Sequence, residues 1–258
     1  VIIIIPPSHG KSRAVAESLT WILGARPQHK ITLASWSDEH GLKTARTVRD
    51  RIAQSTRLKL VFPRLRLSGS LKSIKAIETD AGGELATIRV CEQMPMSDLL
   101  VIDDPLQSYT EAASAVNRSK VWDWYVSAAF TRMNVGGRIV LICSRTHDDD
   151  LAGRLITQGG WRVIHYKAIT DGAALWPSRI PVDYLSKTQA AITETAFRAT
   201  YQGEPDKSDS RGSTAMPRRE SFREFLVARF WAERLRTASA APSEVERDKA
   251  LRALMSGR

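Results

Sequence analysis

The order of apolar and polar segments along the chain predicts alternating strands and helices. Val1–Ile5 is an uninterrupted β-branched run, which predicts a strand covered on both faces. The polar loop after it leads into a predicted helix over about Lys11–Leu23, and Lys30–Ala34 predicts the next strand. Ser37 is placed to cap a helix that runs to about Gln54. This beginning is typical of an α/β protein with a mainly parallel central sheet flanked by helices.

The middle of the chain predicts four further strand segments. Residues 58–62 predict a short strand. Ser73–Thr79 and Glu84–Val90 alternate around the turn Asp80–Gly83, and this pattern predicts a hairpin. The apolar run Leu99–Ile102 then predicts another buried strand.

The pattern after this strand again alternates between helix and strand. The predicted elements are a long helix over Glu111–Arg132, a buried strand over Ile139–Cys143, a helix over Leu151–Gln158, a last strand over Trp161–Ala168, and helices over Pro181–Ala190 and Ile192–Gln202. Three acids, at 148–150, precede the second of these helices. They favour the positive helix N-terminus, and a metal cluster is the alternative interpretation.

The loop between the first strand and the first helix has the ending of a phosphate-binding loop. Gly10 allows backbone N–H groups to turn inward around an anion, Lys11 can reach β- and γ-phosphates, and the Ser12 hydroxyl suits Mg²⁺. Only the second half of the general pattern G-x-x-x-x-G-K-[ST] is present, because Ile5 stands at the first glycine. The residues expected to contact nucleotide are Ser8, His9, Gly10, Lys11, Ser12 and Arg13. A chance Gly-Lys-Ser turn is the alternative.

A pair of carboxylates ends the apolar strand at 99–102. We expect Asp103 to hold the metal together with Ser12, and Asp104 to polarise the attacking water. The alternative is a buried strand that two acids cap before the turn at Pro105. Ser144 follows another buried strand, and strand ends of a parallel sheet meet at one crevice. We therefore expect Ser144 and its neighbour Arg145 to lie near the same site.

Seven stretches resemble, in the same order, the ATPase portion of the large terminase subunit of tailed phages. They are P-P-S-H-G-K-S at 6–12, L-A-S-W-S-D-E at 33–39, V-R-D at 48–50, L-L-V-I-D-D-P at 99–105, V-W-D-W-Y at 121–125, R-I-V-L-I-C-S-R-T-H-D-D-D-L-A-G-R-L at 138–155 and A-L-W-P at 174–177. The resemblance covers about residues 1–205 and implies a P-loop NTPase fold of the ASCE/RecA-like type.

The resemblance also implies a function and partners. It implies an Mg²⁺-dependent ATP hydrolase that moves double-stranded DNA into a procapsid, in a homo-oligomeric ring on the portal protein and with a terminase small subunit. Lys11, Asp104, Ser144 and Arg145 would be catalytic, with Ser144 and Arg145 in the motif that couples hydrolysis to DNA movement. An arginine of a neighbouring subunit often completes such sites, and Arg13, Arg49 and Arg145 are the candidates. The place of action would be the cytoplasm of the bacterial host.

Charge adds a candidate DNA-binding surface. The chain has a net charge of +10, and ten basic residues against one acid lie between Lys43 and Lys75. Such a segment attracts phosphate backbones without reading sequence, and a solvated basic helix face is the alternative. The candidate DNA contacts are Arg64, Arg66, Lys72 and Lys75.

The length of the apolar runs, the cysteines and the start of the chain each add an expectation. No apolar run approaches the ~18 residues of a membrane span. Cys91 and Cys143 stand in apolar strand-like surroundings and are expected to be core thiols of a reducing compartment. Because the chain starts inside a strand, we expect an upstream segment, where the family places an adenine-contacting motif.

The predicted organisation is one ATPase domain with a short appendage. The ATPase domain spans residues 1–202, a Gly-, Ser- and Pro-rich linker spans 203–219, and a helical tail spans 220–258. The tail is too short for the nuclease domain of large terminases, so no DNA cleavage is expected. Two other functions fit these observations: a decayed prophage remnant that binds nucleotide or DNA without turnover, and another nucleic-acid-stimulated ATPase such as a helicase.

Overall fold

The computed structural model describes residues 1–69 and 75–206. Its strands are β1 (Ile2–Ile4), β2 (Lys30–Ser35), β3 (Ala76–Glu78), β4 (Glu84–Arg89), β5 (Ser97–Asp103), β6 (Met133–Cys143), β7 (Val163–His165), β8 (Ile169–Thr170) and β9 (Ala173–Ala174). Its α-helices are α1 (Lys11–Ala25), α2 (Asp38–Gln54), α3 (Thr56–Val61), α4 (Tyr109–Ala113), α5 (Ala115–Trp124), α6 (Leu151–Gln158), α7 (Val182–Ala191) and α8 (Glu194–Gln202).

The main sheet has seven strands in the order β3-β4-β2-β5-β6-β1-β7. All neighbours are parallel except β3, which pairs antiparallel with β4 at the edge. Strand β6 lies between β1 and β5. The strand that leads into the glycine loop and the strand that ends in two aspartates are therefore separated by one strand, whose carboxyl end lies between theirs.

Both faces of the sheet are covered, as the continuous apolar strands predict. Ile2 and Ile4 of β1 pack in one buried cluster, with side chains of α5 and α6. Ile3 and Ile5 pack in the other cluster, with side chains of α1 and α2. The alternation of side chains along a strand thus places consecutive isoleucines in different cores. This arrangement confirms the predicted α/β class with helices on both sides of a mainly parallel sheet.

A third, smaller cluster joins the last part of the described chain. Ala174, Ile180, Leu185 and Phe197 bury their side chains together and connect the β8–β9 ribbon to α7 and α8. The segment between β9 and α7 lies beside the glycine loop, since a methyl group added at Gly10 would be 3.6 Å from the Trp176 ring.

Two element predictions are wrong, and in both places a serine explains the difference. The strand predicted at 58–62 is part of α3, because Ser55 accepts a hydrogen bond from the Leu58 N–H at 3.2 Å and caps a helix. The single helix predicted over Glu111–Arg132 is interrupted at Ser114, whose ψ of 114° is extended and whose hydroxyl caps α5. A π-helical turn and a 3₁₀ turn then follow α5 up to Arg132.

Smaller corrections concern one strand and one cysteine. The strand predicted over Trp161–Ala168 is only Val163–His165. Cys91 is exposed rather than part of the core, because β4 ends at Arg89 and Cys91 adopts φ 74° in the turn that follows. Cys143 is buried as predicted, and burial raises the pKa of its thiol.

The described helices are those of a folded α/β domain. Within the described ranges no helix combines the length and apolarity that crossing a bilayer requires. The linker and tail predicted at 203–219 and 220–258 stay predictions, because residues 207–258 lie outside the described part.

Candidate active site

The loop from β1 to α1 has the backbone of an anion-binding turn. Ser8 and Gly10 both adopt left-handed conformations, with φ of 62° and 84°. Left-handed residues in such a loop turn successive N–H groups toward one side. Gly10 is the residue that precedes α1 and has no side chain with which to cap it. The first N–H groups of α1 and the positive end of its dipole are therefore available to a negatively charged ligand.

His9 has a structural role inside this loop. Its side chain is buried, and its Nδ1 lies 2.8 Å from the Pro7 carbonyl oxygen, so Nδ1–H donates to that oxygen. Burial lowers the pKa of His9, and Lys11 and Arg179 lower it further by their positive charges. A neutral ring that fixes the loop at Pro7 is the result. The guanidinium of Arg179 also stacks over Trp176, 5.2 Å from the ring centroid.

Lys11 joins three elements at the carboxyl edge of the sheet. Its Nζ lies 3.0 Å from Oδ2 of Asp104, which follows β5, and donates a hydrogen bond to Oγ of Ser144, which follows β6. The Lys11 side chain is 8% exposed. These contacts bring together three residues predicted to be catalytic, from positions 11, 104 and 144.

Asp104 is positioned by its backbone as well as by its partners. Its φ of 48° is left-handed, a conformation that aspartate adopts more readily than most residues. Its Oδ1 accepts a hydrogen bond from the Ser144 N–H at 2.9 Å. Burial raises the pKa of Asp104, and the Lys11 ammonium opposes that rise. A raised pKa makes the ionised carboxylate a better proton acceptor.

Ser12 and Asp103, the two residues predicted to hold the metal, both contact a residue that lies outside the predicted motifs. His40, near the start of α2, places Nε2 at 3.0 Å from Oδ2 of Asp103 and at 3.2 Å from Oγ of Ser12. Asp103 is fully buried. The hydrogen bond to Asp103 raises the pKa of His40 more than burial lowers it. The helix start predicted at Ser37 could have pointed to His40, because a helix that begins there places residue 40 beside the ends of the strands.

The residues at this point fit a magnesium ion. Oδ1 of Asp103 is buried and has no hydrogen-bond partner among the described residues. The Ser12 hydroxyl and the Asp103 carboxylate are hard oxygen donors, which Mg²⁺ prefers, and both lie beside the anion-binding loop. The described part of the chain holds no group of three or more His, Cys, Asp or Glu side chains arranged for a metal. A Mg²⁺ ion here would therefore take its remaining ligands from phosphate oxygens and water.

Arg145 and Arg13 do not join this cluster. The Arg145 side chain is 8% exposed, donates from Nε to Oδ2 of Asp150 at 2.9 Å and donates from Nη2 to the carbonyl oxygens of His147 and Asp148. These contacts commit its guanidinium to the loop before α6. The Arg13 side chain is 79% exposed and lies 3.7 Å from Glu17.

Of the three acids before α6, Asp150 caps the helix. Oδ1 of Asp150 accepts a hydrogen bond from the Gly153 N–H at 2.7 Å, as expected of acids at a helix N-terminus. Asp149 pairs with Arg154 at 2.7 Å and with Arg118 at 3.2 Å. Their side chains are therefore engaged within the fold.

Three of the four candidate DNA contacts lie in the described part of the chain. Arg64 and Arg66 are exposed. The Arg66 carbonyl accepts from Asp80, in the turn that follows β3, whereas Lys75 precedes β3 and pairs with Asp38 at 2.7 Å. Arg66 and Lys75 therefore lie at opposite ends of β3. Lys72 lies outside the described residues.

Comparison with solved structures identifies the fold. An arginine-to-alanine mutant of the ATPase domain of the Thermus phage P74-26 large terminase aligns over 80% of this chain and 88% of its own, with a TM-score of 0.55 and 14% identity. The chain has the fold of phage large terminase ATPase domains. The HK97 bacteriophage large terminase aligns with a TM-score of 0.54 and 13% identity over 79% of this chain, which spans 46% of that protein.

A second structure of the P74-26 ATPase domain agrees with the first. Its TM-score is 0.50 at 15% identity, over 78% of this chain and 86% of its own. No family model and no curated protein sequence matches the chain. The fold of large terminase ATPase domains, which the seven motifs imply, is thus confirmed, and at these identities the likeness concerns the fold alone.

Proposed function

We propose that this chain is an Mg²⁺-dependent ATPase that acts as the motor unit of a phage large terminase and couples ATP hydrolysis to movement of double-stranded DNA. The observation that carries this proposal is the contact of Lys11 with both Asp104 and Ser144, directly beside Ser12 and Asp103. Nucleotide hydrolysis needs a loop lysine, a carboxylate and a polar residue at the end of a strand. Here all three lie at one edge of the sheet.

Each residue has a role that follows from its position. Backbone N–H groups around Ser8 and Gly10, with the Lys11 ammonium, offset the negative charge of the β- and γ-phosphates. Asp104, whose pKa is raised by burial, accepts the proton of the attacking water. Ser144 donates its N–H to Oδ1 of Asp104 and so orients that carboxylate.

The metal and the substrate come from outside the chain. Ser12 and Asp103 would hold Mg²⁺, which supplies neutralisation of phosphate charge when bound. When ATP enters, the Lys11 ammonium must divide its contacts between Asp104 and the substrate, because both are anions. Asp104 then has an oxygen free for water.

Coupling to DNA uses the strand end after β6. Ser144 contacts Lys11 at the site, and its neighbour Arg145 is bonded to the loop that starts α6. A change in the contacts of Ser144 can therefore reach α6 through a short stretch of backbone. As partners we propose duplex DNA, a portal protein, a terminase small subunit and further copies of this chain in a ring, and as place of action the host cytoplasm.

A phosphate-release assay with and without duplex DNA tests the proposal. Wild type should release phosphate from ATP in an Mg²⁺-dependent manner, faster with DNA. Lys11→Ala should lower the rate at least about 100-fold, because one preorganised charge at a phosphate is worth several kcal/mol. Lys187→Ala, at an exposed position of α7, is the matched control and should leave the rate unchanged.

The same assay separates the alternatives. Equal rates for wild type and Lys11→Ala would eliminate the enzyme and leave a protein that binds nucleotide or DNA without turnover. Strand separation of a labelled duplex during hydrolysis would instead favour a helicase-like ATPase.

A further inference from the structure

His40 reaches the candidate metal site from a part of the chain outside both nucleotide motifs. It is the third residue of α2, and Ser37 Oγ accepts a hydrogen bond from its N–H at 3.2 Å. Strand β2, which precedes α2, pairs with β5 so that Ser35 is aligned with Asp103. The helix start therefore places residue 40 over the end of the neighbouring strand.

The hydrogen bonds of His40 determine which of its nitrogens carries a proton. An ionised carboxylate only accepts hydrogen bonds, so Nε2, at 3.0 Å from Oδ2 of Asp103, must be the donor. The same nitrogen lies 3.2 Å from Oγ of Ser12. One N–H thus faces an oxygen of each residue that would hold the metal.

The bond to one oxygen of Asp103 leaves the other oxygen oriented but without a partner. A carboxylate with both oxygens free can rotate about its last bond, whereas the bond from His40 to Oδ2 fixes that rotation. Oδ1 is then buried and lacks a hydrogen bond in the described part of the chain. A buried carboxylate oxygen without a partner is costly unless a ligand satisfies it.

We propose that His40 is a positioning residue: its Nε2–H orients the Asp103 carboxylate, and with it Ser12, so that Oδ1 and the Ser12 hydroxyl face one divalent cation. The inference rests on the proposed function, since it assigns the cation to these two residues. Groups that hydrogen-bond a metal ligand from behind commonly change metal affinity by about 10- to 100-fold when removed.

Binding of Mn²⁺ alone to the full chain, followed by the electron paramagnetic resonance signal of free Mn²⁺, tests the inference at constant pH. His40→Leu has a side chain of similar size but lacks the N–H donor, so the dissociation constant for Mn²⁺ should rise about 10- to 100-fold. His40→Gln retains an N–H at a similar reach and should stay within about threefold of wild type. His29→Leu, at the other end of β2, is the matched control.

Kinetics provide a second measurement. The Mg²⁺ concentration for half-maximal hydrolysis should rise in His40→Leu and recover in His40→Gln, while the KM for ATP at saturating Mg²⁺ changes little. A merely structural role would instead lower the unfolding temperature without the rescue by glutamine. If His40→Leu does not fold, His40→Ala lacks the donor equally and replaces it.

The outcomes distinguish this inference from the proposed function. Asp103→Asn should lose Mn²⁺ affinity if the proposed metal site is right, and unchanged binding in that variant would overturn the site itself. Lost affinity in Asp103→Asn with wild-type affinity in His40→Leu would overturn the positioning role alone. Equal losses in the leucine and glutamine variants would also overturn it, because the donor would then be irrelevant.

Discussion

Asp104 shows how much of the site depends on one residue's backbone. Its left-handed φ of 48° turns the carboxylate back toward β6, where Ser144 donates to Oδ1, and toward Lys11, which pairs with Oδ2. The preceding Asp103 points instead to His40. Two consecutive acids thus have different environments, one fully buried and one with a side chain 23% exposed. This separation permits one to hold a metal and the other to accept a proton.

Removing the charge of Asp104 should abolish turnover without unfolding the protein. Asparagine tolerates left-handed backbone and can still accept the Ser144 N–H, so Asp104→Asn should fold. It cannot accept the proton of water, and kcat should fall about 10²- to 10⁴-fold. Affinity for an ATP analogue, measured by calorimetry, should change little. Asp123→Asn, at an exposed position, is the control, and a variant at position 104 with wild-type kcat would show that another group is the base.

Elements determine how these residues meet. Strand β6 lies between β1 and β5, so its carboxyl end brings Ser144 between Lys11 and Asp104. Helix α6 follows through a short loop that Arg145 and Asp150 hold together at 2.9 Å. Gly153 is necessary for this packing: a methyl group at that position would lie 1.7 Å from the Asp148 carbonyl oxygen and 2.9 Å from Nη2 of Arg145.

Gly153→Ala should therefore destabilise the fold and disturb the site. The methyl group would clash with backbone that cannot move without breaking the α6 cap. We therefore expect the free energy of unfolding to fall by about 1–3 kcal/mol. Denaturant unfolding measures the loss, and hydrolysis at a temperature where the variant is folded should also be slower. Gly69→Ala, where a methyl group meets nothing within 4 Å among the described residues, should change stability by less than about 0.5 kcal/mol. Equal stability of the two variants would mean that the loop before α6 adapts.

At the scale of the whole molecule, the candidate active site and the candidate DNA contact Arg66 lie at different strands of the sheet. The site is at the ends of β1, β5 and β6, whereas Arg66 lies beside the edge strand β3, where its carbonyl accepts a hydrogen bond from the Asp80 N–H. Of the candidate contacts, Lys75 pairs with Asp38, and Arg64 and Arg66 are exposed. Exposed arginines gain more from a phosphate backbone than a lysine that already has an acidic partner.

DNA binding should consequently depend on the two arginines. The double variant Arg64→Ala with Arg66→Ala should weaken duplex binding and reduce the slope of log K against log salt by about 1 for each phosphate that is no longer neutralised. Lys75→Ala should have a smaller effect. Arg132→Ala with Arg138→Ala, at exposed positions on the other half of the sheet, is the charge-matched control. An unchanged slope in the Arg64 and Arg66 variant would move the DNA-binding surface elsewhere.

Local chemistry in the sequence was sufficient for much of the fold and part of the site. A β-branched run cannot be exposed in water, so Val1–Ile5 predicts a buried strand, and Ile2 to Ile5 are indeed buried. Ser37 and the acids at 148–150 predict helix starts because capping involves neighbours in sequence. Prediction failed at 58–62 and at Ser114, where short apolar or mixed stretches suit either of two conformations.

Only the tertiary structure decided which polar side chains of the site contact one another. Lys11, Ser144 and Asp104 are far apart along the chain, and the order of strands in the sheet brings them together. The same order brings His40 to Asp103, whereas Arg145 bonds to Asp150, five residues further along the chain, and does not join the glycine loop. The physical reason is that hydrophobic patterning specifies which side of an element is buried, whereas the partner of a polar side chain depends on strand order and register, which no local pattern contains.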